Sequence, residues 1–191
     1  TAFPGATTKY DLKPDMATWG KGIANGFSFC ALTGTKEVME IGGIKNIGTE
    51  KVFLISTTHG GETHTMAAAN ATIDIFEKDN VIAYNHKIGD ALIKGCQDAI
   101  LTSGLSHLAD IIPCNWLVVF NFRDKQGQVS ADMRTLAMQE MIKRGILFQG
   151  AFVPCFSHTI DDVNYFVKAF IETLFILEDA NNKGVNNILI G

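Results

Sequence analysis

The sequence is organised around residues 14–26, which read PDMATWGKGIANG. A short apolar run that is typical of a strand ends at Trp19, and a single lysine, Lys21, follows between Gly20 and Gly22. Glycines let the backbone turn sharply and let another group approach closely. An amine at the end of a buried strand would lose water, which favours its neutral, nucleophilic form. The stretch therefore predicts a lysine that can form a Schiff base.

Two other interpretations of this stretch compete with a nucleophilic lysine. A lysine in a glycine-rich loop is most often a solvent-exposed residue with no chemical role. A phosphate-binding loop of the nucleotide-binding type is the other alternative, but the G-x-x-x-x-G-K-[ST] pattern is absent from the chain. On the residue pattern alone the exposed, inactive lysine is the more frequent outcome, so a catalytic role needs support from the rest of the chain.

That support comes from a family resemblance. Residues 13–26, then Ala31-Leu32-Thr33-Gly34 and Glu37-Val38-Met39, resemble the class III aminotransferases, which are pyridoxal 5'-phosphate (PLP) enzymes of fold type I. Upstream, Gly5-Ala6 and Tyr10 make the chain more similar to the glutamate-1-semialdehyde aminomutase branch. The resemblance follows the order of elements over nearly the whole chain and is most specific within residues 13–26.

The resemblance implies a chemistry for Lys21. In the family, the lysine at this place in the motif forms a Schiff base with PLP, so Lys21 would be both the catalytic and the cofactor-binding residue. Once an incoming amine has displaced it, the freed lysine would act as a general acid and base. The implied activity is PLP-dependent amino-group transfer on a small-molecule amino, keto or aldehyde substrate. The sequence leaves open whether the enzyme is an aminotransferase or a glutamate-1-semialdehyde-type aminomutase.

A second candidate site residue is Thr58. Residues 52–56 are a nearly continuous apolar run, typical of a strand in a parallel sheet, and a helix is predicted from Thr63. This order places hydroxyl and free backbone N–H groups at a helix start, where a phosphate is favoured. The resemblance implies that Thr58 binds the PLP phosphate of the neighbouring subunit, and so implies a homodimer with the cofactor site at the interface. Two alternatives stay open: Ser56 or Thr57 shares this role, or these hydroxyls only cap the helix.

Two departures from the family pattern lie beside this candidate. Thr57 replaces a glycine, and Glu62-Thr63 replaces the usual asparagine-proline pair.

His59 and His64, with the glutamate between them, also suggest a metal-dependent hydrolase. However, the H-E-x-x-H order is not met, and these two histidines would not project from one regular helix. We therefore expect no metal site.

The order of predicted elements indicates an α/β protein. We expect strands at 16–19, 29–33, 52–56, 116–122 and 146–149, and helices at 36–41, 63–77, 79–102, 131–144 and from 160 onward. Residues 159–162 resemble a capping box at the start of the last helix, whose apolar stripe we assign to the core, with fraying expected after Ala180. The resemblance implies that residues 1–79 are the C-terminal, incomplete part of a fold type I large domain. Residues 80–191 would then be a linking helix and a small α+β C-terminal domain.

Composition excludes several classes of protein. With 47% hydrophobic and 19% charged residues, the chain is globular and not disordered. The net charge is -4 and no basic patch stands out, so we expect no nucleic-acid partner. No apolar run approaches the roughly 20 residues of a transmembrane helix, so we expect no membrane association. Cysteines at 30, 96, 114 and 155 form no C-x-x-C pair, which indicates buried free thiols in a cytoplasmic protein.

The start of the chain also carries an expectation. Thr1 is not a natural initiator residue, so we expect the chain to be the C-terminal part of a longer enzyme. The resemblance places the aspartate that pairs with the pyridine nitrogen of PLP just upstream of Thr1. The alternative function is therefore that this piece is a truncated, catalytically silent domain that does not hold PLP alone.

Overall fold

The structure is a computed structural model that describes residues 1–43, 45, 47–48, 50 and 58–190. The chain divides into two compact units, Thr1–Ile82 and Ala83–Gly191. This division lies close to the predicted boundary after residue 79, while the assignment of the two parts to a larger and a smaller domain stays a prediction.

The first unit is built around a short hairpin. Its elements are α1 (Ala6–Lys9), β1 (Met16–Trp19), a 3-10 turn (Lys21–Ile23), β2 (Ala31–Gly34), α2 (Lys36–Glu40) and α3 (Thr63–Lys78). Strands β1 and β2 pair antiparallel, from Met16 opposite Gly34 to Trp19 opposite Ala31. The strand predicted at 16–19 is thus confirmed, and the next strand lies slightly later than 29–33. The strand predicted at 52–56 falls outside the described residues.

Little of the first unit is buried. Among the residues that the structure describes there, the buried ones are small: Gly5, Ala24, Thr65, Ala69 and Val81. Strand β1 alternates between exposed and half-buried positions, and the Met16 side chain is 48% exposed. The expectation that β1 is a buried strand is therefore wrong, because this strand belongs to a two-stranded sheet whose faces the described residues leave largely uncovered.

The second unit contains a three-stranded antiparallel sheet against long helices. Its elements are α4 (Val81–Ser103), which begins at the end of the first unit, β3 (Ala109–Ile112), β4 (Val118–Phe122), α5 (Ala131–Lys143), β5 (Ala151–Phe152) and α6 (Ile160–Lys183). The strand order is β3-β4-β5. Strand β4 points Val118, Phe120 and Phe122 into the core, as the period of two along a strand requires.

Helix α6 supplies much of this core. Its predicted capping box is confirmed: the Thr159 side chain accepts from the Asp162 N–H, and the Asp162 carboxylate accepts from the Thr159 N–H at 2.8 Å. Its apolar stripe is buried as expected, with Phe170, Leu174 and Leu177 fully covered. Two ring contacts join β4 to this helix: Phe120 lies edge-to-face against Phe170 at 5.3 Å and tilted against Phe166 at 5.7 Å.

Two local predictions in the second unit are wrong. Residues 146–149 form no strand, since Phe148 turns into the aromatic core; the pairing with the second edge of β4 is made by Ala151–Phe152 instead. Gly150, at φ +82°, makes that turn, and its carbonyl accepts the Phe120 N–H at 2.9 Å. The end of α6 does not fray after Ala180 but continues to Lys183, where Gly184 terminates it. None of the helices in the described part of the chain combines the length and apolarity that a bilayer crossing requires.

Candidate active site

Lys21 lies in the loop that joins β1 to β2 and is the first residue of the 3-10 turn. Its φ is +51°, in the left-handed region that residues other than glycine rarely adopt. Such a backbone costs on the order of 1–3 kcal/mol, and residues of this kind cluster at functional sites and ligand contacts. The loop therefore holds Lys21 in a conformation that local preference alone would not select.

The surroundings of Lys21 are open. The side chain is exposed, and a Cβ added at the neighbouring Gly22 would meet nothing within 4 Å. At Gly20, the nearest atom to such a Cβ would be the Cys30 Cβ at 4.0 Å. The predicted desolvation of the amine is therefore not provided by the described residues, whereas the predicted room for an approaching group is present.

Close packing at the base of the hairpin positions this loop. A Cβ added at Gly34 would lie 2.7 Å from the Asp15 carbonyl oxygen, so only glycine fits between the strands there. The Trp19 indole N–H donates to Thr33 Oγ1 at 2.8 Å and ties the end of β1 to β2. A cavity of about 360 Å³ lies beside these residues, lined by Thr7, Pro14, Ala17, Trp19, Thr33, Gly34 and Thr35. Lys21 is not part of that lining.

Thr58 is exposed and lies in a bend before α3. Glu62 occupies the N-cap position of α3 without a side-chain capping bond, so Thr58 does not cap this helix. Ser56 and Thr57, the alternatives for phosphate binding, lie outside the described residues. The 3-10 turn of Lys21 contacts α3, but no hydrogen bond among the described residues joins Lys21 to Thr58, and neither residue lines the 360 Å³ cavity.

The start of α3 carries a negative charge with two imidazoles around it. Glu62 Oε1 is 3.3 Å from His59 Nδ1, and Glu62 Oε2 is 4.0 Å from His64 Nε2. A carboxylate at a helix N-terminus is favoured by the helix dipole and competes there with a phosphate. In the part of the chain that the structure describes, no group of three or more His, Cys, Asp or Glu side chains is arranged so that it could hold a metal ion.

A family model described as aminotransferase class-III matches residues 4–153 of the chain. The chain belongs to the class III aminotransferases. The resemblance on which Lys21 was chosen is thus confirmed at the level of the family.

Relatives of this class III aminotransferase chain include both kinds of enzyme that the sequence suggests. It is 28% identical over 177 residues to 3-aminobutyryl-CoA aminotransferase of Cloacimonas acidaminovorans, covering 89% of this chain and 39% of that protein. It is also 28% identical over 185 residues to glutamate-1-semialdehyde 2,1-aminomutase of Thermus thermophilus, covering 91% of this chain and 42% of that protein. The chain therefore spans about two fifths of the length of these relatives.

Solved structures show the same fold. An omega-transaminase from Sphaerobacter thermophilus superposes with a TM-score of 0.75 at 20% identity, over 91% of this chain and 41% of that structure. An aminotransferase from Bacillus anthracis superposes with a TM-score of 0.76 at 19% identity, over 89% of this chain and 40% of that structure. At such identities the likeness concerns the fold alone, and it confirms the predicted fold class, that of part of a fold type I transaminase.

The residues that the family resemblance assigns to PLP fit the cofactor only in part. Lys21 offers an accessible amine, and the absence of any atom around a Gly22 Cβ leaves space for a ring beside it. The negative Glu62 at the start of α3 fits a phosphate less well than the asparagine-proline pair of the family. The described residues alone do not enclose a pocket around the amine.

The described residues also include a cysteine–histidine contact that the sequence analysis did not single out. Cys155 Sγ lies 3.3 Å from His158 Nδ1 in the loop before α6. The signal in the sequence is a cysteine and a histidine three positions apart.

The expectation that the thiols are buried holds only for Cys96, since Cys30 and Cys155 are exposed and Cys114 is half-buried; all are free. Burial raises the pKa of the Cys96 thiol and keeps it protonated.

Proposed function

We propose that the whole protein carries out PLP-dependent amino-group transfer on a small-molecule amino, keto or aldehyde substrate. The observation that carries the proposal is the class-III family match over residues 4–153, which contains the motif around Lys21. Relatives that are aminotransferases and relatives that are aminomutases match at the same 28% identity, so both activities stay candidates.

In this proposal Lys21 Nζ is the atom that holds PLP. The support is the left-handed backbone at φ +51°, the exposed amine and the open space at Gly22. When bound, PLP supplies an electron sink that stabilises negative charge on the substrate carbon next to the amino group. Once Lys21 no longer holds PLP, its Nζ would accept a proton from that carbon and return it.

We also propose a role for Thr58 and a homodimer. The Thr58 hydroxyl would donate to the phosphate of PLP held by a second copy, and the cofactor site would lie at the interface. An exposed hydroxyl in a bend that does not cap α3 is free to make such a contact. We place this homodimer in the cytoplasm, in keeping with four free cysteines.

A second candidate is that these 191 residues alone are catalytically silent. The observation that favours it is the exposure of Lys21, which lines neither the cavity of about 360 Å³ in the first unit nor the cavity of about 490 Å³ in the second unit. An amine that is not shielded from water gains little nucleophilicity and holds an aldehyde weakly.

One experiment separates these candidates. The purified chain is mixed with PLP, reduced with borohydride, digested, and examined by mass spectrometry for the lysine that carries the pyridoxyl group. We expect the label on Lys21, loss of the visible absorbance and of the label in Lys21→Ala, and retention of both in Lys13→Ala, an exposed lysine of the same unit. A colourless, unlabelled wild-type chain supports the silent fragment. A label on another lysine contradicts the assignment of Lys21.

A further inference from the structure

A cavity of about 490 Å³ lies in the second unit. The segment that leads into β5, strand β5 itself and the first turns of α6 supply its wall. Pockets that hold small molecules have volumes of roughly 300–1,000 Å³, so this cavity has a suitable size.

Aromatic rings form the inner wall of the cavity. The Phe166 ring lies 5.4 Å from the Phe152 ring at an interplanar angle of 83°, and 5.6 Å from the Phe148 ring at 71°. Phe148 and Phe166 are buried in the core, which holds their rings in place. Rigid rings of this kind bind apolar groups, and the faces of such rings attract organic cations.

One carboxylate also lines the cavity. Asp162 Oδ2 accepts hydrogen bonds from the Thr159 N–H and the Thr159 hydroxyl, both at 2.8 Å. The hydrogen bond from the Thr159 N–H is the main reason why the pKa of the Asp162 carboxyl lies below its usual value, so this group is ionised at neutral pH. Its second oxygen, Oδ1, accepts no hydrogen bond from the residues that the structure describes. An acceptor with a full negative charge is therefore available at the wall.

No positive charge balances this carboxylate within the wall. The described residues that line the cavity include neither lysine nor arginine. His158 also lines it, but His158 Nδ1 accepts the Cys155 backbone N–H at 3.1 Å. A ring nitrogen that accepts a hydrogen bond carries no proton, so this imidazole is neutral. The wall as a whole is negative, which disfavours carboxylates and phosphates as ligands.

We propose that this cavity binds a primary amine with an aromatic group, in its ammonium form. The ammonium group donates to Asp162 Oδ1, and the aromatic group lies against Phe152 and Phe166. This inference does not rest on the proposed function, because it involves neither Lys21 nor PLP.

The test is isothermal titration calorimetry of the purified chain without PLP. The probes are 2-phenylethylamine, 2-phenylethanol, which has the same ring without the charge, and phenylacetate, which has the opposite charge. We expect the amine to bind at one site per chain and roughly 2–5-fold more tightly than the alcohol, the share of a solvent-accessible charge pair. Phenylacetate should bind more weakly than the alcohol.

Three variants locate the charge that is responsible. Asp162→Asn keeps an oxygen for the Thr159 N–H and should abolish the preference for the amine over the alcohol. Thr159→Ala breaks the capping box but keeps the carboxylate, and Thr159 does not line the cavity, so this variant should retain the preference. Val153 is 61% exposed at the wall, so Val153→Lys adds a positive charge there and should weaken binding of the amine but not of the alcohol.

Each outcome supports or overturns the proposal. It is overturned if the amine shows no saturable binding, if the wild type binds amine and alcohol equally, or if Asp162→Asn retains the preference. Loss of the preference in Thr159→Ala as well would assign it to the cap and would overturn the proposal too. If circular dichroism shows that Asp162→Asn is unfolded, Val153→Lys decides, and an unchanged affinity of that variant for the amine overturns the proposal.

Discussion

Removal of the charge on Glu140 tests the ion-pair network between α5 and α6. The Glu140 carboxylate is 5% exposed and accepts from Lys143 Nζ at 2.6 Å and from Arg144 Nη1 at 3.0 Å. Arg144 Nε in turn donates to Glu172 Oε2 at 2.9 Å, so Arg144 links the two helices. The substitution Glu140→Gln keeps the volume and removes the charge from the middle of this network.

The expected decrease in the free energy of unfolding follows from the exposure of each residue that pairs with Glu140. Lys143 is 47% exposed, so solvent screens its pair with Glu140 to at most about 1 kcal/mol. Arg144 is 22% exposed, and a hydrogen bond to a charged group in such a place contributes about 1.5–3 kcal/mol. Glu140→Gln should therefore lower the free energy of unfolding of the second unit by about 1.5–4 kcal/mol.

The assay is urea unfolding at neutral pH, followed by far-ultraviolet circular dichroism. The matched control is Glu172→Gln: Glu172 is 50% exposed and contacts the same arginine, so its loss should stay below about 1 kcal/mol. Equal midpoints for the two variants, or a midpoint of Glu140→Gln equal to that of the wild type, would refute the reasoning.

The same network predicts a pH dependence. Burial opposes ionisation of Glu140, but hydrogen bonds from Lys143, Gln139 and Arg144 outweigh it and lower the pKa of the carboxyl below its usual value. A group whose pKa is lowered on folding stabilises the fold above its unfolded pKa, about 4.3, and this contribution is lost as the pH falls through the folded pKa. The difference between wild type and Glu140→Gln should thus be full at neutral pH and shrink in acid. A difference that grows in acid contradicts this sign.

Two further predictions concern the first unit. Gly34→Ala should disrupt the hairpin, because its Cβ would lie 2.7 Å from the Asp15 carbonyl oxygen, whereas Gly22→Ala meets nothing within 4 Å. Proteolysis of residues 14–35 should accelerate in the first variant and not in the second, and equal rates would contradict the packing argument. Thr58→Ala should weaken PLP binding by roughly 10–100-fold, as expected for one hydrogen bond to a charged group, with little effect on pyridoxal, which lacks the phosphate. A Thr58→Ala variant that weakens both ligands equally would argue against a phosphate contact.

Features that depend on neighbours in sequence could be predicted without the structure. The capping box from Thr159 to Asp162 spans four residues, and the apolar stripe of α6 repeats with the period of a helix. Both arise from backbone geometry that the local residues set. The family, and with it the choice of Lys21, likewise follows from a contiguous motif. The class-III match over residues 4–153 confirms the family, and the role of Lys21 stays a prediction.

Features that depend on which elements cover one another were decided only by the tertiary structure. Lys21 is exposed, and among the described residues β1 pairs with β2 alone; strand propensity carries no information about the cover on either face. The strand expected at 146–149 lies at Ala151–Phe152 instead, because the Phe148 side chain is buried in the core. The Arg144 link from Glu140 to Glu172 likewise joins two helices that only the fold brings together. Burial and charge pairing depend on contacts between residues that are distant in sequence, so only the tertiary structure determines them. The helices and turns depend on residues that are close in sequence, so the local pattern predicts them.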